Sequence, residues 1–390
     1  MVTFLSTGIY LDNNATTPID PAVAAVMMTL VEQAYGNPHS EHAAGWQAAE
    51  LIDRAKMQIA ALIGAASDEI IFTSGATEAN NHVIQGVLRA CAGRNTHVVT
   101  SAIEHKSVLQ TLAAMRSDQF EITVLPVGSD GRIDPDCVSD ALTRDTALVS
   151  IGVANNEIGT LQPIREITAL CRDRGIAFHA DAAQAVGKVP LDVVRDGIDL
   201  LSLSGHKIYG PKGIGALYVS RHAPLKPAPL IHGGAQQNGM RAGTVPTFLC
   251  AALGEACHVA DQRLQTDFQH SIQLRAKLIE ALQRFIPDLE INGTMDHRLP
   301  GNLNIRIPGL DGDTLLSALQ GKLCASTGSA CNAGLIEPSY VLREIGLSSD
   351  EIAASIRIGI GRLTTDTDIH SAAGLIAEKA TSLRRVPTYS

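Results

Sequence analysis

The chain has 390 residues, of which 45% are apolar and only 18% charged, and its formal net charge at pH 7 is −9. This length is sufficient for one large hydrophobic core and a second, smaller domain. The acidic balance argues against direct binding of a nucleic-acid backbone, because such binding depends on clustered positive charge.

No segment approaches the ~20 consecutive apolar residues of a membrane-spanning helix, and the first residues lack the pattern of a signal peptide. We therefore expect a cytoplasmic protein with no membrane partner. The seven cysteines include no Cys-x-x-Cys pair, which argues against a disulfide framework and a structural zinc site. His39 and His42 have no third metal ligand close in sequence, so no metal site is predicted.

Short β-branched segments alternate with helical ones through the middle of the chain. The segments predicted as strands that run into loops are 68–75, 96–105, 121–128, 146–159, 175–184 and 198–207. Helices are predicted between them, for example over 164–174, and a long helical stretch runs from about 246 to 285. Because the strands are almost continuously apolar, the pattern predicts a mostly parallel sheet covered by helices on both faces. The C-terminal remainder is typical of a smaller α/β unit.

Polar side chains collect where these predicted strands end. They are Thr73, Ser74, Gly75, Glu104, His105, Asn155, Asn156, Glu157, Asp181, Gln184, Ser204, His206 and Lys207. Ligands of parallel α/β sheets bind outside the carboxyl ends of the strands, so we expect these residues to surround one site.

The stretch FTSGATEANN, 72–81, places a glycine-containing turn before a helix predicted to begin near Thr77. The backbone N–H groups and the dipole of such a helix start suit a phosphate, and the Thr77 hydroxyl would add a further donor. A capping box formed by Thr77 with Asn80 or Glu78 explains the same residues without a ligand, and this stretch alone does not decide between the two. No Walker A loop is present, which argues against a nucleotide.

Lys207 ends an apolar strand, a costly position for a lysine unless its amine is paired or chemically used. A Schiff base with an aldehyde cofactor would satisfy it, because the imine needs no permanently buried ammonium ion. Asp181 ends a strand 26 residues earlier and can supply the anion that pyridoxal phosphate needs beside its ring nitrogen. Taken singly, Lys207 is more simply an exposed lysine and Asp181 a helix cap. Their combination with the phosphate turn favours the cofactor.

Ordered motifs along almost the whole chain resemble one known family. They are YLDNNATTPIDP, GNPHSEHAAG, FTSGATEANN, IEHKSV, VANNEIGTLQPI, HADAAQAVGKVP, SGHKIYGPKGIGALYV, HGGAQQNGMRAGTVP, STGSACNAGLIEPSYVL and SIRIGIGRLT. The sequence is similar to the class V aminotransferases, which have fold type I of the pyridoxal phosphate enzymes, and within them to the NifS/IscS-type cysteine desulfurases. The resemblance implies a large cofactor-binding domain over 13–260 with a mostly parallel seven-stranded sheet. It implies a smaller α/β domain formed by 1–12 and 261–390.

The resemblance also implies roles for individual residues. Lys207 would form the Schiff base, Asp181 would pair with the ring nitrogen, and Gln184 would lie near the phenolic oxygen of the ring. His105 would stack on the ring and act as an acid or base. The other implied cofactor ligands are Gly75, Ala76, Thr77, Asn156, Ser204, His206 and, donated by the second subunit of a homodimer, Thr244. The implied substrate ligands are Asn14, Asn156 and Arg357. For Arg357, a structural ion pair is the alternative interpretation.

Cys331 lies in ASTGSACNAG, 325–334, a small and polar stretch typical of a loop. A small buried cysteine is the alternative, but that interpretation suits Cys324 better. By the resemblance, Cys331 is the nucleophile of a catalytic loop at about 323–336, where it would take sulfur from L-cysteine as a persulfide and release L-alanine. Because a thiol with a pKa of ~8.5 is mostly protonated at neutral pH, His105 is the candidate proton acceptor.

The sequence thus predicts a homodimeric, pyridoxal phosphate-dependent cysteine desulfurase that delivers sulfur to an acceptor or scaffold protein, as in iron–sulfur cluster assembly. The alternatives are another class V enzyme, such as a selenocysteine lyase or an aminotransferase, and an inactive sulfur-trafficking scaffold. Cys331 argues against the first and the intact Lys207 against the second. CNAG at 331–334 and GGAQQNG at 233–239 depart from the Cys-Thr-Ser and GGGQE that are more frequent in the family, outside the reacting groups.

Overall fold

A computed structural model of the chain describes residues 8–327 and 338–384. The strands are β1 (Ile9–Tyr10), β2 (Ile70–Thr73), β3 (Thr96–Ser101), β4 (Phe120–Leu125), β5 (Thr146–Gly152), β6 (Ala177–Asp181), β7 (Leu200–Ser204), β8 (Gly215–Val219), β9 (Glu290–Ile291), β10 (Asn302–Arg306), β11 (Leu323–Cys324) and β12 (Ser355–Gly359). The helices are α1 (Pro21–Gln33), α2 (Ala43–Ile63), α3 (Ala76–Ala90), α4 (Lys106–Met115), α5 (Pro135–Ala141), α6 (Ile164–Asp173), α7 (Thr247–Phe285), α8 (Gly312–Ala318), α9 (Tyr340–Glu344), α10 (Ser349–Ala353) and α11 (Asp366–Arg384).

Seven of these strands form the central sheet, in the spatial order β2–β8–β7–β6–β5–β3–β4. The pairs β7–β6, β6–β5, β5–β3 and β3–β4 are parallel, whereas β8 runs antiparallel to both of its neighbours. The predicted seven-stranded, mostly parallel sheet is therefore confirmed. Every residue of β3, β6, β7 and β8 is buried, which is why these strands lack the polar–apolar alternation of a half-exposed strand.

The predicted element boundaries agree with the structure to within a few residues. The helix predicted over 164–174 is α6, which is amphipathic because its buried side chains recur every three or four positions. The stretch predicted over 246–285 is α7. The strand predicted over 121–128 begins one residue earlier and ends at Leu125, because the residues that follow turn away from the sheet.

Helices cover both faces of the central sheet. Successive residues of one strand point to opposite faces, so Val98 and Leu148 pack into one hydrophobic cluster while Val99 and Val149 pack into another. This arrangement leaves the loops at the carboxyl ends of the parallel strands as the open edge of the sheet.

A separate hydrophobic core lies in the C-terminal part, where the three-stranded sheet β12–β10–β9 packs with α11. The long helix α7 contributes Leu253 and Ala256 to the core of the central sheet, and Leu278 and Leu282 to this second core. The predicted division of the chain at residue 260 stays a prediction, which this change of core within α7 supports. Across the described ranges, no helix combines the length and the apolar character that crossing a membrane requires.

Candidate active site

A cavity of about 560 Å³ opens at the carboxyl ends of the parallel strands. The predicted site residues that line it are Asn14, Gly75, Ala76, Thr77, His105, Asn156, Asp181, Gln184, Ser204, His206, Lys207 and Arg357. The structure therefore brings twelve of the predicted residues together, and their roles stay predictions. Thr244 is exposed and does not line this cavity. Cys331 and most of the predicted 323–336 loop lie outside the described residues.

Lys207 is placed by a tight turn at the end of β7. A short 3₁₀ turn, Gly205–Lys207, follows the strand directly, and the Gly205 N–H donates to the Ile214 carbonyl at 3.0 Å. The Lys207 Nζ donates to the carbonyl oxygens of Asn14 and Ala15, both at 2.6 Å. The amine is thus aimed at the cavity lining rather than at bulk water, against the exposed-lysine interpretation.

The N-terminal segment that receives this amine is held firmly on the sheet edge. The Thr17 N–H donates to the His206 carbonyl at 2.9 Å, and the Thr17 hydroxyl accepts the Tyr209 N–H at 2.8 Å. The Asn13 side chain donates to the Gly359 carbonyl at 2.8 Å. The sequence identified Asn14 only through the resemblance. No local signal marked Ala15 or Thr17, because their partners are almost two hundred residues away.

Asp181, at the end of β6, is an anion held by neutral donors. Its Oδ2 accepts from the Asn80 side chain at 2.7 Å, and its Oδ1 accepts the Ala183 N–H at 3.0 Å. It forms no salt bridge within the described part of the chain. The residue is 9% exposed, so a cationic partner arriving from the cavity would meet a carboxylate that is already partly desolvated.

His179, two residues before Asp181 on β6, does not neutralise that carboxylate. Its ring nitrogens lie 2.8 Å from the Ser150 hydroxyl and 2.9 Å from the Ser202 hydroxyl. Burial, the largest cause, lowers the pKa of His179 to about 4, although Asp181 acts in the opposite direction. The ring is therefore neutral at physiological pH.

His105 ends the loop that follows β3, caps the start of α4 and is fixed through its Nδ1 atom. The Ser107 N–H donates to Nδ1 at 3.1 Å, and the Ser107 hydroxyl lies 2.7 Å from the same atom. A backbone N–H can only donate, so Nδ1 is the acceptor and the neutral ring carries its proton on Nε2. Burial is the main cause that lowers the pKa of His105; the nearby Lys207 and Lys106 also lower it, while Asp181 raises it. Sequence reasoning expected a proton acceptor here, whereas this tautomer offers a donor.

The start of α3 forms an open anion cradle. Gly75 precedes the helix with a φ of 152°, a backbone conformation that other residues rarely adopt, and no side chain caps the helix. The Ser204 hydroxyl lies on the same side, since a Cβ added to Gly75 would stand 3.6 Å from it. Neither this hydroxyl nor that of Thr77 has a hydrogen-bond partner among the described residues. These groups are suited to a phosphate.

The capping box at Thr77, the alternative to a phosphate cradle, is not formed. The helix begins one residue earlier, at Ala76, and the Asn80 side chain donates to Asp181 instead of to the helix start. The Glu78 carboxylate accepts the Ser74 N–H at 2.9 Å and pairs with Arg241 at 2.9 Å. Burial is the largest single effect and raises the pKa of Glu78. Hydrogen bonds from Arg241 and Ser74, together with the positive charge of Arg241, outweigh it, so the pKa of Glu78 is lowered overall.

Arg357, on β12, enters the cavity lining from the C-terminal part of the chain and is only 2% exposed. Its Nη2 donates to Asp12 at 3.0 Å, so the ion-pair interpretation of the sequence is realised. Its Nε atom and the Asn14 Nδ2 are both buried without a hydrogen-bond partner among the described residues. Both residues line the cavity, and a buried donor without a partner is a feature that needs an explanation.

Two buried carboxyl groups were expected at the strand ends from the sequence, but without an individual role. Glu104 accepts from the Ser101 hydroxyl at 2.6 Å and from the Gly152 N–H at 2.8 Å. Glu157 accepts from the Ser339 hydroxyl at 2.6 Å. Burial raises the pKa of each carboxyl to about 7. Within residues 8–327 and 338–384, no group of three or more His, Cys, Asp or Glu side chains is arranged to hold a metal ion.

Comparison with known proteins connects this cavity to a family. The family model described as Aminotransferase class-V matches residues 9–371. The chain is 44% identical over 383 residues to the cysteine desulfurase IscS of Rickettsia typhi, which covers 98% of this chain and 93% of that protein. It is 47% identical over 362 residues to a human cysteine desulfurase, covering 93% of this chain and 79% of that one.

The fold agrees with this relationship. A solved NifS-like protein superposes on the chain with a TM-score of 0.89 at 31% identity, covering 97% of this chain and 100% of the other. The family model spans nearly the whole chain, including every strand of the central sheet and every residue that lines the cavity. The chain therefore belongs to the class-V aminotransferase family.

Proposed function

We propose that this protein is a cysteine desulfurase that binds pyridoxal 5'-phosphate and converts L-cysteine to L-alanine, leaving the sulfur as a persulfide on Cys331. The observation that carries the proposal is the meeting of three groups in one cavity: the Lys207 amine, the Asp181 carboxylate without a cationic partner, and the uncapped start of α3. The close relatives named as cysteine desulfurases support the same activity.

The donor set of the cavity fits pyridoxal phosphate. The backbone at Gly75 and Ala76, the hydroxyls of Thr77 and Ser204, and His206 would hold the phosphate. Burial, the largest cause, and the neighbouring lysines lower the pKa of His206 to about 4, so this ring would act as a neutral hydrogen-bond partner. When bound, the cofactor supplies an aldehyde for amine chemistry and a ring that accepts electrons from a bond broken at the substrate α-carbon.

Asp181 would hold the proton of the ring nitrogen, because it is the anion in the cavity lining that keeps neutral partners. Lys207 would bind the aldehyde covalently in the resting protein. When it is not bound to the aldehyde, the Lys207 amine would accept the α-proton of the substrate and later return a proton. The carbonyl oxygens of Asn14 and Ala15 would hold the released amine in the cavity lining, as they do here.

Arg357 would bind the substrate carboxylate together with Asn156 and Asn14. The Arg357 Nε and the Asn14 Nδ2 are buried without a partner among the described residues, and a substrate carboxylate is the acceptor that we propose for them. The Asp12 contact on Nη2 would prevent the guanidinium from rotating away. Such binding orients an amino acid and does not by itself distinguish cysteine from other amino acids.

The thiol of Cys331 is the feature that makes the chemistry a desulfuration. In balance, the substrate Cβ–S bond breaks, a new S–S bond forms at Cys331, and the carbon skeleton leaves as alanine, so no external oxidant or reductant is needed. His105, with its proton on Nε2, would donate that proton in the cavity rather than remove one from the thiol.

The protein would act as a homodimer in the cytoplasm and deliver its sulfur to an acceptor protein, as in iron–sulfur cluster assembly. Thr244 is exposed and does not line the cavity of its own chain, as expected of a residue that serves a neighbouring site. Exposed apolar side chains on α1 and α2 offer an area for subunit contact: Met28, Val31, Trp46 and Met57 are each more than half exposed. Sedimentation as a monomer at micromolar concentration would contradict this part of the proposal.

The cofactor is tested directly by spectroscopy and by chemical trapping. The purified protein should be yellow, and borohydride reduction followed by mass spectrometry should place a pyridoxyl group on Lys207. Lys207→Ala should lose this covalent adduct while remaining folded by far-ultraviolet circular dichroism. A reduced adduct on another lysine would overturn the assignment.

The sulfur transfer is tested with cysteine variants. Cys331→Ser should retain the cofactor spectrum and lose sulfide release from L-cysteine in the presence of a thiol reductant. Cys137→Ser, at an exposed cysteine on α5, is the matched control and should keep full activity. Undiminished desulfuration by Cys331→Ser would refute the persulfide role.

A further inference from the structure

A buried chain of hydrogen bonds leads from Lys188 to the catalytic lysine. The Lys188 Nζ donates to the Gln184 Oε1 at 3.0 Å, and the Gln184 Nε2 donates to the Asn14 carbonyl at 2.8 Å. The same carbonyl oxygen accepts from the Lys207 Nζ at 2.6 Å. Three hydrogen bonds and one carboxamide therefore connect the two lysines.

The contacts with Asn14 and Lys188 together determine which end of the Gln184 carboxamide faces which neighbour. The Asn14 carbonyl can only accept, so the end that meets it must be the NH₂ group, and the amide oxygen at the other end accepts from Lys188. The NH₂ end is then turned towards Asn14 and the cavity, which Gln184 lines. With the opposite orientation, the NH₂ group would face an ammonium and the amide oxygen would face a carbonyl, two repulsive contacts.

Lys188 itself stands outside the main cavity. It lines a smaller cavity of about 30 Å³ together with Asn14, Tyr209, Asp267 and Arg362, on the other side of the Asn14 segment. A cavity of this size has room for one water molecule beside the amine.

The surroundings of Lys188 lower the pKa of its amine. Burial is the largest cause that lowers the pKa of its amine to about 7, and Lys207 and Arg357 add to the effect. The carboxylate of Asp267, which faces the same small cavity, is paired with Arg362 at 2.6 Å. Placing a lysine amine in these surroundings, with only an amide as its partner, costs free energy, which suggests that the amine has a role.

We propose that Lys188 is a positioning residue that fixes the Gln184 carboxamide so that it presents an N–H donor to the cavity, and that holds the Asn14 carbonyl in place for Lys207. The inference rests on the proposed function, in which Gln184 faces the phenolic oxygen of the cofactor ring. An oxygen acceptor of that kind requires the NH₂ end of the amide, which is the end that Lys188 leaves free.

The experiment is a double-mutant cycle read by cofactor binding. Lys188→Met removes the donor and the charge but keeps the length of the side chain, and Gln184→Leu removes the amide. The dissociation constant for pyridoxal phosphate and the visible circular dichroism of the bound cofactor are measured for each single variant and for the double variant. Lys188→Arg, which keeps the donors, is the conservative control. The urea midpoint reports whether each variant is folded.

Lys188→Met should weaken pyridoxal phosphate binding about five- to tenfold, the effect of one lost hydrogen bond, and change the visible dichroic band. Lys188→Arg should restore both readouts to near wild type. The double variant should bind no more weakly than Gln184→Leu alone, because Lys188 acts through that amide. If Lys188→Met does not fold, Lys188→Leu, which also lacks a donor, replaces it, with the same expected loss.

An unchanged dissociation constant and dichroic band in Lys188→Met would overturn the inference, and so would fully additive losses in the double variant. Either result leaves the proposed function standing, provided that the wild-type protein binds the cofactor at Lys207. Absence of cofactor binding by the wild type would overturn both.

Discussion

The buried carboxyl of Glu104 predicts a measurable pH dependence of stability. Burial, the largest cause, and the charge of Asp181 raise the pKa of Glu104 from its ordinary value of 4.5 to about 7, although hydrogen bonds from Ser101 and Gly152 lower it. Since the pKa is higher in the folded than in the unfolded state, the folded state binds the proton more tightly. The free energy of unfolding therefore falls as the pH rises from about 4.5 through 7.

The size of this loss follows from the two pKa values. The free energy of unfolding falls by about 3 kcal/mol once the carboxyl is ionised in both the folded and the unfolded state. About 2.5 kcal/mol of this loss occurs between pH 5 and pH 8. The residue is 4% exposed, so solvent screening removes little of this energy. Glu104→Gln removes the titrating group but keeps both contacts, because its amide oxygen can accept the Gly152 N–H and its NH₂ can donate to Ser101.

Urea unfolding at pH 5 and pH 8 provides the test. The wild type should lose about 2 to 3 kcal/mol more between these two pH values than Glu104→Gln does, so the variant should be relatively more stable at alkaline pH. Glu166→Gln, at an exposed glutamate on α6, should follow the wild-type profile. Parallel profiles for the wild type and Glu104→Gln would refute the assignment of a buried carboxyl with a raised pKa.

Three further substitutions test the packing that surrounds the site. Arg362, 4% exposed in its side chain, pairs with Asp20 at 2.8 Å and Asp267 at 2.6 Å. Arg362→Ala should lower the free energy of unfolding by about 3 kcal/mol, because Asp20 loses this ion pair and Asp267 keeps only its contact with Arg263 at 3.2 Å. A loss below about 1 kcal/mol in thermal or urea unfolding would show that this network is dispensable. Gly215→Ala should destabilise by more than about 2 kcal/mol, because its Cβ would stand 2.4 Å from a carbonyl oxygen of the neighbouring strand. Gly374→Ala, in α11 with no atom within 4 Å of the new Cβ, should instead stabilise by about 0.5 to 1 kcal/mol, and equal effects at the two glycines would contradict this view of the packing.

The sheet and the outline of the site could be predicted from the sequence because both depend on local patterns. Buried parallel strands are apolar along their length, and the residue that ends each strand is identified as soon as the strand is. Asp181, Ser204 and Lys207 each lie at or directly after such an end, so their meeting at one edge follows from the topology alone.

The partners that hold these residues could not be predicted in the same way. Lys207 donates to Asn14 across 193 residues of chain, and Asn80 donates to Asp181 across 101. The sequence shows where Asn80 lies along α3. It does not show whether its side chain caps the helix or donates to Asp181, because an asparagine at this position suits both roles. Only the direction of the side chain distinguishes the two, and that direction is set by the packing of the helix on the sheet.

His105 was located correctly and given a proton-accepting role that its hydrogen bonds do not favour. The type of residue and its position after β3 predict a ring at the cavity, whereas the tautomer depends on the Ser107 N–H that meets Nδ1. That contact arises because His105 caps α4, a local feature of the structure that the sequence motif does not specify. The position of the His105 ring is therefore easier to predict than the nitrogen that carries its proton, because the latter depends on individual hydrogen-bond donors.

The two charges predicted to bind ligands are prepared in different ways, and the difference fits what each would bind. Asp181 is held by an amide and a backbone N–H, so a cationic ring nitrogen would gain an ion pair without breaking one. Arg357 is already paired with Asp12, so a substrate carboxylate would share the guanidinium and gain less net attraction. A resident cofactor should be retained through many turnovers, whereas an amino acid and its product must exchange in each one. Strong electrostatic complementarity at Asp181 and a partly neutralised cation at Arg357 match these two requirements.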